Sequence, residues 1–289
     1  MNGAGIEGLL GTSLEMWANT LSKIIQVLTT PIDKLFDGKV WTVIQSVVGA
    51  FQAVGTTILI ICFLMGIMNA LSSMVDTRRG ENAVKVFVRF IIAKEVLTRG
   101  LDLMLGLMSM SQSLVSKVIS ATGIQDSISK AGETSRIPTE IVEAIDDSKL
   151  IARIGCWLIA LIGVVVMIAV CIVILLTVYS RFFKVYIYTA ISPIPLATFG
   201  SVSTSRVGKG FLRSYGAICL EAVVIVLACV IFSAITQTAG GMGLDGVIVS
   251  GDDASSKLLG YCIQHIISML ILLAVIKASD RLVREFMTV

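Results

Sequence analysis

The sequence predicts an all-α integral membrane protein with about five transmembrane helices, a proline-broken re-entrant segment and an N-terminal amphipathic helix. Three observations carry this. The stretch Ile154–Tyr179, IGCWLIALIGVVVMIAVCIVILLTVY, holds no charged residue and exceeds the about 20 apolar residues that a bilayer-spanning helix needs. Composition agrees: 55% of residues are hydrophobic, 15% are charged and the mean hydropathy is +0.90, outside the norm for soluble domains. Third, the uncharged stretch is followed by SRFFK, by VYIYTAISPIPLATFG and by the basic run SRVGKGFLR. Basic clusters therefore flank an apolar segment that Pro193 and Pro195 interrupt.

Residues 1–40 are expected to form an N-terminal external region. Within residues 5–30, Leu10, Leu14, Trp17, Leu21, Ile24 and Leu28 recur at spacings of four and three, a single apolar stripe on a helix that Pro31 stops. Such a helix either lies on the outer leaflet or packs against copies of itself, and the stripe alone does not choose. The first basic residue is Lys23 and no compact apolar run precedes a small-residue cleavage site, so no cleaved signal peptide is expected.

Residues 41–115 should hold two spans joined by a basic cytoplasmic loop. Val43–Leu71 is clear. Phe87–Val115 is interrupted by Arg89, Lys94, Glu95, Arg99 and Asp102. Glu95 and Arg99 stand at i,i+4, and Arg99 and Asp102 at i,i+3, so they share a face and neutralise one another. Charges facing lipid are expensive, so this strip is expected to meet other helices, another subunit or water. Residues 116–153 read as a central external loop with a short helix after Pro138, N-capped by Thr139. Residues 154–278 form the transmembrane core: Ile154–Tyr179, Ala217–Thr236 and Leu258–Ala278, with segment 185–200 between the first two. Residues 279–289 are a cytoplasmic tail.

Orientation follows from the excess of Lys and Arg in cytoplasmic loops. Arg78, Arg79 and Lys85 follow the first span; Arg181 and Lys184 follow the uncharged span. Arg206, Lys209 and Arg213 follow the proline segment, and Lys277, Arg281 and Arg284 close the chain. In contrast, Ser116–Arg153 sets five basic residues against six acidic, and Gln237–Lys257 has three Asp to one Lys. An outside N-terminus and five spans place every basic cluster inside only if segment 185–200 begins and ends on the cytoplasmic side. As a helix it would reach only about 24 Å, short of the ~30 Å hydrocarbon core, and its prolines break the helical ladder. A re-entrant channel element carrying Pro193, Pro195 and Gly200 is the resulting expectation. Trp41, Trp157 and Tyr261 fall near outer interfaces and Tyr179 and Tyr215 near inner ones, as amphipathic rings prefer.

No catalytic constellation emerges, and neither a metal site nor a cofactor is expected. The six cysteines, Cys62, Cys156, Cys171, Cys219, Cys229 and Cys262, lie in apolar segments without CxxC or Cys/His spacing, and read as small membrane-compatible side chains. GGMGLDG lacks the GK[ST] ending of a phosphate-binding loop and reads as an external loop. His265, the one histidine, sits about 10 Å into the last span and is expected to hydrogen-bond a neighbouring helix. Glu221 is placed to pair with Arg181, Lys184 or Arg213. Lys94, Glu95, Arg99, Asp102, Glu221 and His265 together make up a candidate intramembrane polar network.

The block Arg181–Glu221, RFFKVYIYTAISPIPLATFGSVSTSRVGKGFLRSYGAICLE, preceded by an uncharged span, resembles the core of the TrbL-type polytopic subunit of type IV secretion systems. This is the VirB-class inner-membrane component of bacterial conjugation machines. The likeness extends over roughly residues 40–285, and the chain's length and compactness are similar to versions from conjugative elements of Gram-positive bacteria. The resemblance implies a channel scaffold in the bacterial cytoplasmic membrane, not an enzyme. It implies a homo-oligomeric ring, partner subunits including separate ATPases, and transient single-stranded DNA or relaxase as cargo. The basic face of Arg78, Arg79, Arg181, Lys184, Arg206, Lys209 and Arg213 would then contact partner subunits or anionic membrane lipids, or attract a DNA backbone, unless it is no more than the ordinary cytoplasmic excess of basic residues. The competing class is a stand-alone secondary transporter or ion channel, since broken helices and intramembrane carboxylates occur there too. No internal repeat supports it. A purely structural membrane anchor is a third reading.

Overall fold

The computed structural model describes residues 3–72, 79–123, 142–143, 145, 150–237 and 253–288. Among these, the regular elements are helices: α1 (Gly3–Thr29), α2 (Lys39–Ser72), α3 (Arg79–Thr98), α4 (Gly100–Thr122), α5 (Leu150–Ile191), α6 (Pro193–Ala197), α7 (Ser205–Gln237) and α8 (Ala254–Thr288). Five segments are long and apolar enough to cross a membrane: Leu35–Asn69, Gly100–Thr122, Ala152–Ile191, Ser205–Ile235 and Ser255–Met287. The all-α membrane architecture and the number of spans match the sequence expectation. Several boundaries do not.

The expected span Phe87–Val115 is two helices, α3 and α4, parted at Arg99. Backbone hydrogen bonds still bracket the break, Arg99 N–H to Glu95 O at 2.9 Å and Leu103 N–H to Arg99 O at 3.1 Å. The break puts Lys94, Glu95 and Arg99 ahead of the candidate span, and leaves only Asp102 in its first turn. That arrangement keeps the charges out of its apolar middle. The supposed loop 116–153 is also shorter, because α4 continues to Thr122 and α5 begins at Leu150. Its central part, with Thr139, lies outside the described residues, as do Arg78 and the GGMGLDG sequence. The tail 279–289 is helical through Thr288, the end of α8.

The chain forms two compact units. The first comprises Met1–Thr29, Val115–Tyr179 and Val223–Ser279. Here the apolar stripe of α1 is packed inside the unit: Leu10, Leu14, Leu21, Ile24 and Leu28 are buried. The Trp17 ring meets Phe232 of α7 edge-on at 6.0 Å, and the Ser13 hydroxyl reaches Met167 Sδ of α5 at 3.4 Å. Neither the outer leaflet nor a second copy is needed to cover this stripe, because α5 and α7 of the same chain cover it. On α5, Cys156, Ala160, Met167, Cys171 and Ile174 are fully buried, following steps of three, four and seven along one face. Gly163 on that face lets α8 approach, since a Cβ there would stand 3.2 Å from Cys262 Sγ. The opposite face exposes Ile154, Leu158, Ile162, Val165 and Leu176, a surface suited to hydrocarbon rather than to water.

The second unit comprises Thr30–Leu114, Ser180–Ala222 and Asp280–Val289. It opens on a left-handed turn, Phe36 to Gly38 with φ of 56°, 58° and 70°, which redirects the chain into α2. Its core gathers Leu59 of α2, Ala93 and Leu97 of α3, and Ala197 of α6, with Ile58, Phe90 and Phe199 packed around them.

Candidate functional site

The proline segment is the centre of the second unit. Residues 185–191 are not part of a separate element, as the sequence suggested; they are the last two turns of α5. The helix ends there because Pro193 and Pro195 supply no N–H for the carbonyls of Thr189 and Ile191. Pro193 then opens α6 at its first turn, where a missing N–H leaves no helical bond unmade. Thr198 donates from its hydroxyl to Pro195 O at 2.7 Å, and Thr204 to Thr198 O at 2.8 Å, closing the corner over Thr198–Gly200. Pro193, Pro195, Leu196, Ala197 and Gly200 are all buried.

Glycines on the surrounding helices make this seating possible. A Cβ on Gly55 of α2 would lie 2.7 Å from Pro193 O, and one on Gly208 of α7 would lie 2.9 Å from Pro195 O. A Cβ on Gly100 would meet Leu196 Cδ1 at 2.7 Å, and one on Gly200 itself would meet Leu59 Cδ1 at 2.7 Å. Of these four, only Gly200 was legible as a site residue. The others carry no local signal, since each is decided by what the fold brings beside it.

Arg181 departs from its expected place on a basic surface. Its side chain is 1% exposed, with Nε donating to Ile218 O at 3.1 Å and Nη2 to Cys219 O at 3.3 Å. Both acceptors lie on α7, one turn before Glu221, which is 5% exposed. Arg181 and Glu221, both buried, act on one another electrostatically, and Lys184 and Arg284 add to the positive charge that Glu221 feels. One atom of each, Arg181 Nη1 and Glu221 Oε2, has no hydrogen-bond partner among the described residues. Beside them, Lys184 reaches Asp280 at 3.7 Å, and Asp280 in turn accepts from Arg284 at 3.1 Å. Tyr215, expected at an interface, is buried; its hydroxyl meets Thr189 at 3.3 Å and donates to Met104 O at 3.3 Å.

The polar residues grouped from sequence do not form one network. Glu95 and Arg99 pair at 2.5 Å on an exposed face, 60% and 74% exposed, and Lys94 and Asp102 are exposed near them in sequence. His265 bonds within its own helix, through Nδ1 to Tyr261 O at 3.0 Å, with the two rings 4.2 Å apart; a partner on a neighbouring helix was expected instead. Arg206, Lys209 and Arg213 do converge. Together with Arg89 of α3 they line a cavity of about 590 Å³ that also contacts Val202, Ser203, Ser205 and Gly210, with no carboxylate in its lining among the described residues. Arg79 opens α3.

No curated protein and no solved structure matches the chain. A family description does match, over residues 18–193: more than half of the chain, from the middle of α1 to the first residue of α6. That range begins earlier than the likeness read from sequence, and it ends inside the block Arg181–Glu221. The matched family is described as TrbL/VirB6 plasmid conjugal transfer like protein, and the chain belongs to it.

Proposed function

We propose that this chain is a channel or scaffold subunit of a conjugative type IV secretion machine, built into the bacterial cytoplasmic membrane and helping DNA and protein to cross it. The observation that carries the reading is the family match over residues 18–193 on a chain with five candidate spans. The subunit works without catalysis of its own. Separate ATPases supply energy, and several copies form a ring around the path. The exposed Glu95–Arg99 pair at the junction of α3 and α4 suits contact with water or a neighbouring subunit, since such a charged face is disfavoured against lipid. The N-terminus lies outside and the C-terminus in the cytoplasm.

The test is mating from donor cells that lack only this protein. DNA transfer should fall to background and return on complementation, and native mass measurement of the detergent-extracted protein should show a closed homo-oligomer. Undiminished transfer would refute the reading. Substrate uptake by proteoliposomes holding this protein alone would favour the transporter alternative.

A further inference from the structure

Three cavities of the second unit meet at Arg89. The first is the cationic cavity of about 590 Å³ with Arg89, Arg206, Lys209 and Arg213. The second, about 350 Å³, runs past Lys85 and Arg89 to Ser201 and Ser203. The third is a groove of about 540 Å³ lined almost wholly by apolar side chains, among them Val88, Ile92, Val96, Phe199 and Leu212, with Lys85 and Arg89 as its charged lining residues. The arrangement follows from sequence spacing. On α7, Arg206, Lys209 and Arg213 stand at i, i+3 and i+7 and share a face, directly after the helix start at Ser205, where the helix dipole adds positive potential. On α3, Lys85 and Arg89 share a face at i,i+4, and Val88, Ile92 and Val96 form the adjoining apolar row.

The geometry points to a binding site for one anionic phospholipid, its phosphate headgroup in the cationic cavity and an acyl chain along the α3 groove. Charge complementarity selects the occupant. Among the described residues the cavity gathers four cations and no carboxylate, and the groove that shares Arg89 with it offers apolar wall and little else. A free phosphate would leave the groove unfilled, and a nucleic acid strand would gain nothing from it. Ser203 and Ser205 line the same cavity, with the Ser205 hydroxyl donating to Val202 O at 2.9 Å and the Ser203 hydroxyl 3.0 Å from that of Ser201. This site rests on placement in a membrane and not on the transfer role, so the two stand or fall separately.

The experiment uses the purified full chain in detergent micelles doped with equal amounts of phosphatidylglycerol and phosphatidylcholine, with retained lipid counted by native mass spectrometry. Phosphatidylglycerol should be retained in preference. Each Arg→Gln or Lys→Gln change should weaken that retention about fivefold, as the attraction per basic residue near an anionic lipid suggests. The triple variant R206Q/K209Q/R213Q should lose about a hundredfold on the same scale. Gel filtration and helical circular dichroism check that it folds; should it not, Arg206→Gln and Arg213→Gln alone carry the test. Val88→Trp, which fills the groove and leaves every cation, should also reduce retention. Equal retention of both lipids, or an unaltered preference in the cation variants, overturns the assignment. Displacement by inorganic phosphate together with indifference to Val88→Trp would make it a free-phosphate site. Retention of a single-stranded oligonucleotide in place of phosphatidylglycerol would make it a nucleic-acid site. Either result also overturns the lipid assignment.

Discussion

Arg181 shows how much a single burial changes a residue's role. An arginine just past an uncharged span reads as part of a cytoplasmic basic face, but here it is folded against α7, held by two backbone carbonyls and interacting electrostatically with Glu221. Breaking one half of a buried charge pair strands the other in low dielectric, a loss of about 3–5 kcal/mol, whereas replacing both by apolar groups is often neutral. Arg181→Met should therefore lower the unfolding midpoint in detergent far more than the double variant Arg181→Met/Glu221→Met does. Equal losses in the two would show that the pair is not coupled. Lys184→Met should shift the same midpoint little, because its pairing with Asp280 is long and half exposed, and such pairs contribute roughly 0–1 kcal/mol.

At the scale of elements, the proline corner and its glycines act as one joint. Gly55 accepts the backbone of Pro193 at a distance no side chain allows. Gly55→Ala should then cost about 1–3 kcal/mol, the usual penalty for overpacking. Gly49→Ala on the same helix, with nothing within 4 Å of its Cβ, should be neutral or stabilising by about 0.5–1 kcal/mol, since alanine is the better helix former. Thermal unfolding of the two variants in one detergent separates local packing from helix propensity. The prolines themselves, visible from sequence as helix breakers, prove to be helix starters as well. The break falls after Ile191 rather than before Val185 because no proline or glycine interrupts α5 between Arg181 and Ile191.

For the whole molecule, five spans with exposed apolar faces and six buried cysteines make orientation measurable. A membrane-impermeant maleimide should leave the unaltered chain unlabelled, because a thiol must reach water as thiolate to react. Val202→Cys, at a position 71% exposed, should label only from the cytoplasmic side. Ala121→Cys, at the far end of α4 where side chains are exposed, should label only from outside. Labelling of both from one side would remove the proposed topology.

Much of this was written in the chain itself. Hydropathy alone determined the helical class and the number of spans, because each depends on long runs of residues whose apolar character no packing partner can reverse; that α5 runs on past Tyr179 to Ile191 was not read from it. The stripe on α1 was equally legible, but not what covers it, since a periodic face declares that it is buried and not by whom. Tertiary structure alone decided that Arg181 turns inward and that Glu95 and Arg99 stand ahead of their span. It also decided that Gly55, Gly100 and Gly208 cradle the corner, and that Arg89 joins the cations of α7. These outcomes depend on distances between residues far apart in sequence, and neither spacing nor composition encodes a neighbour that only the folded chain supplies.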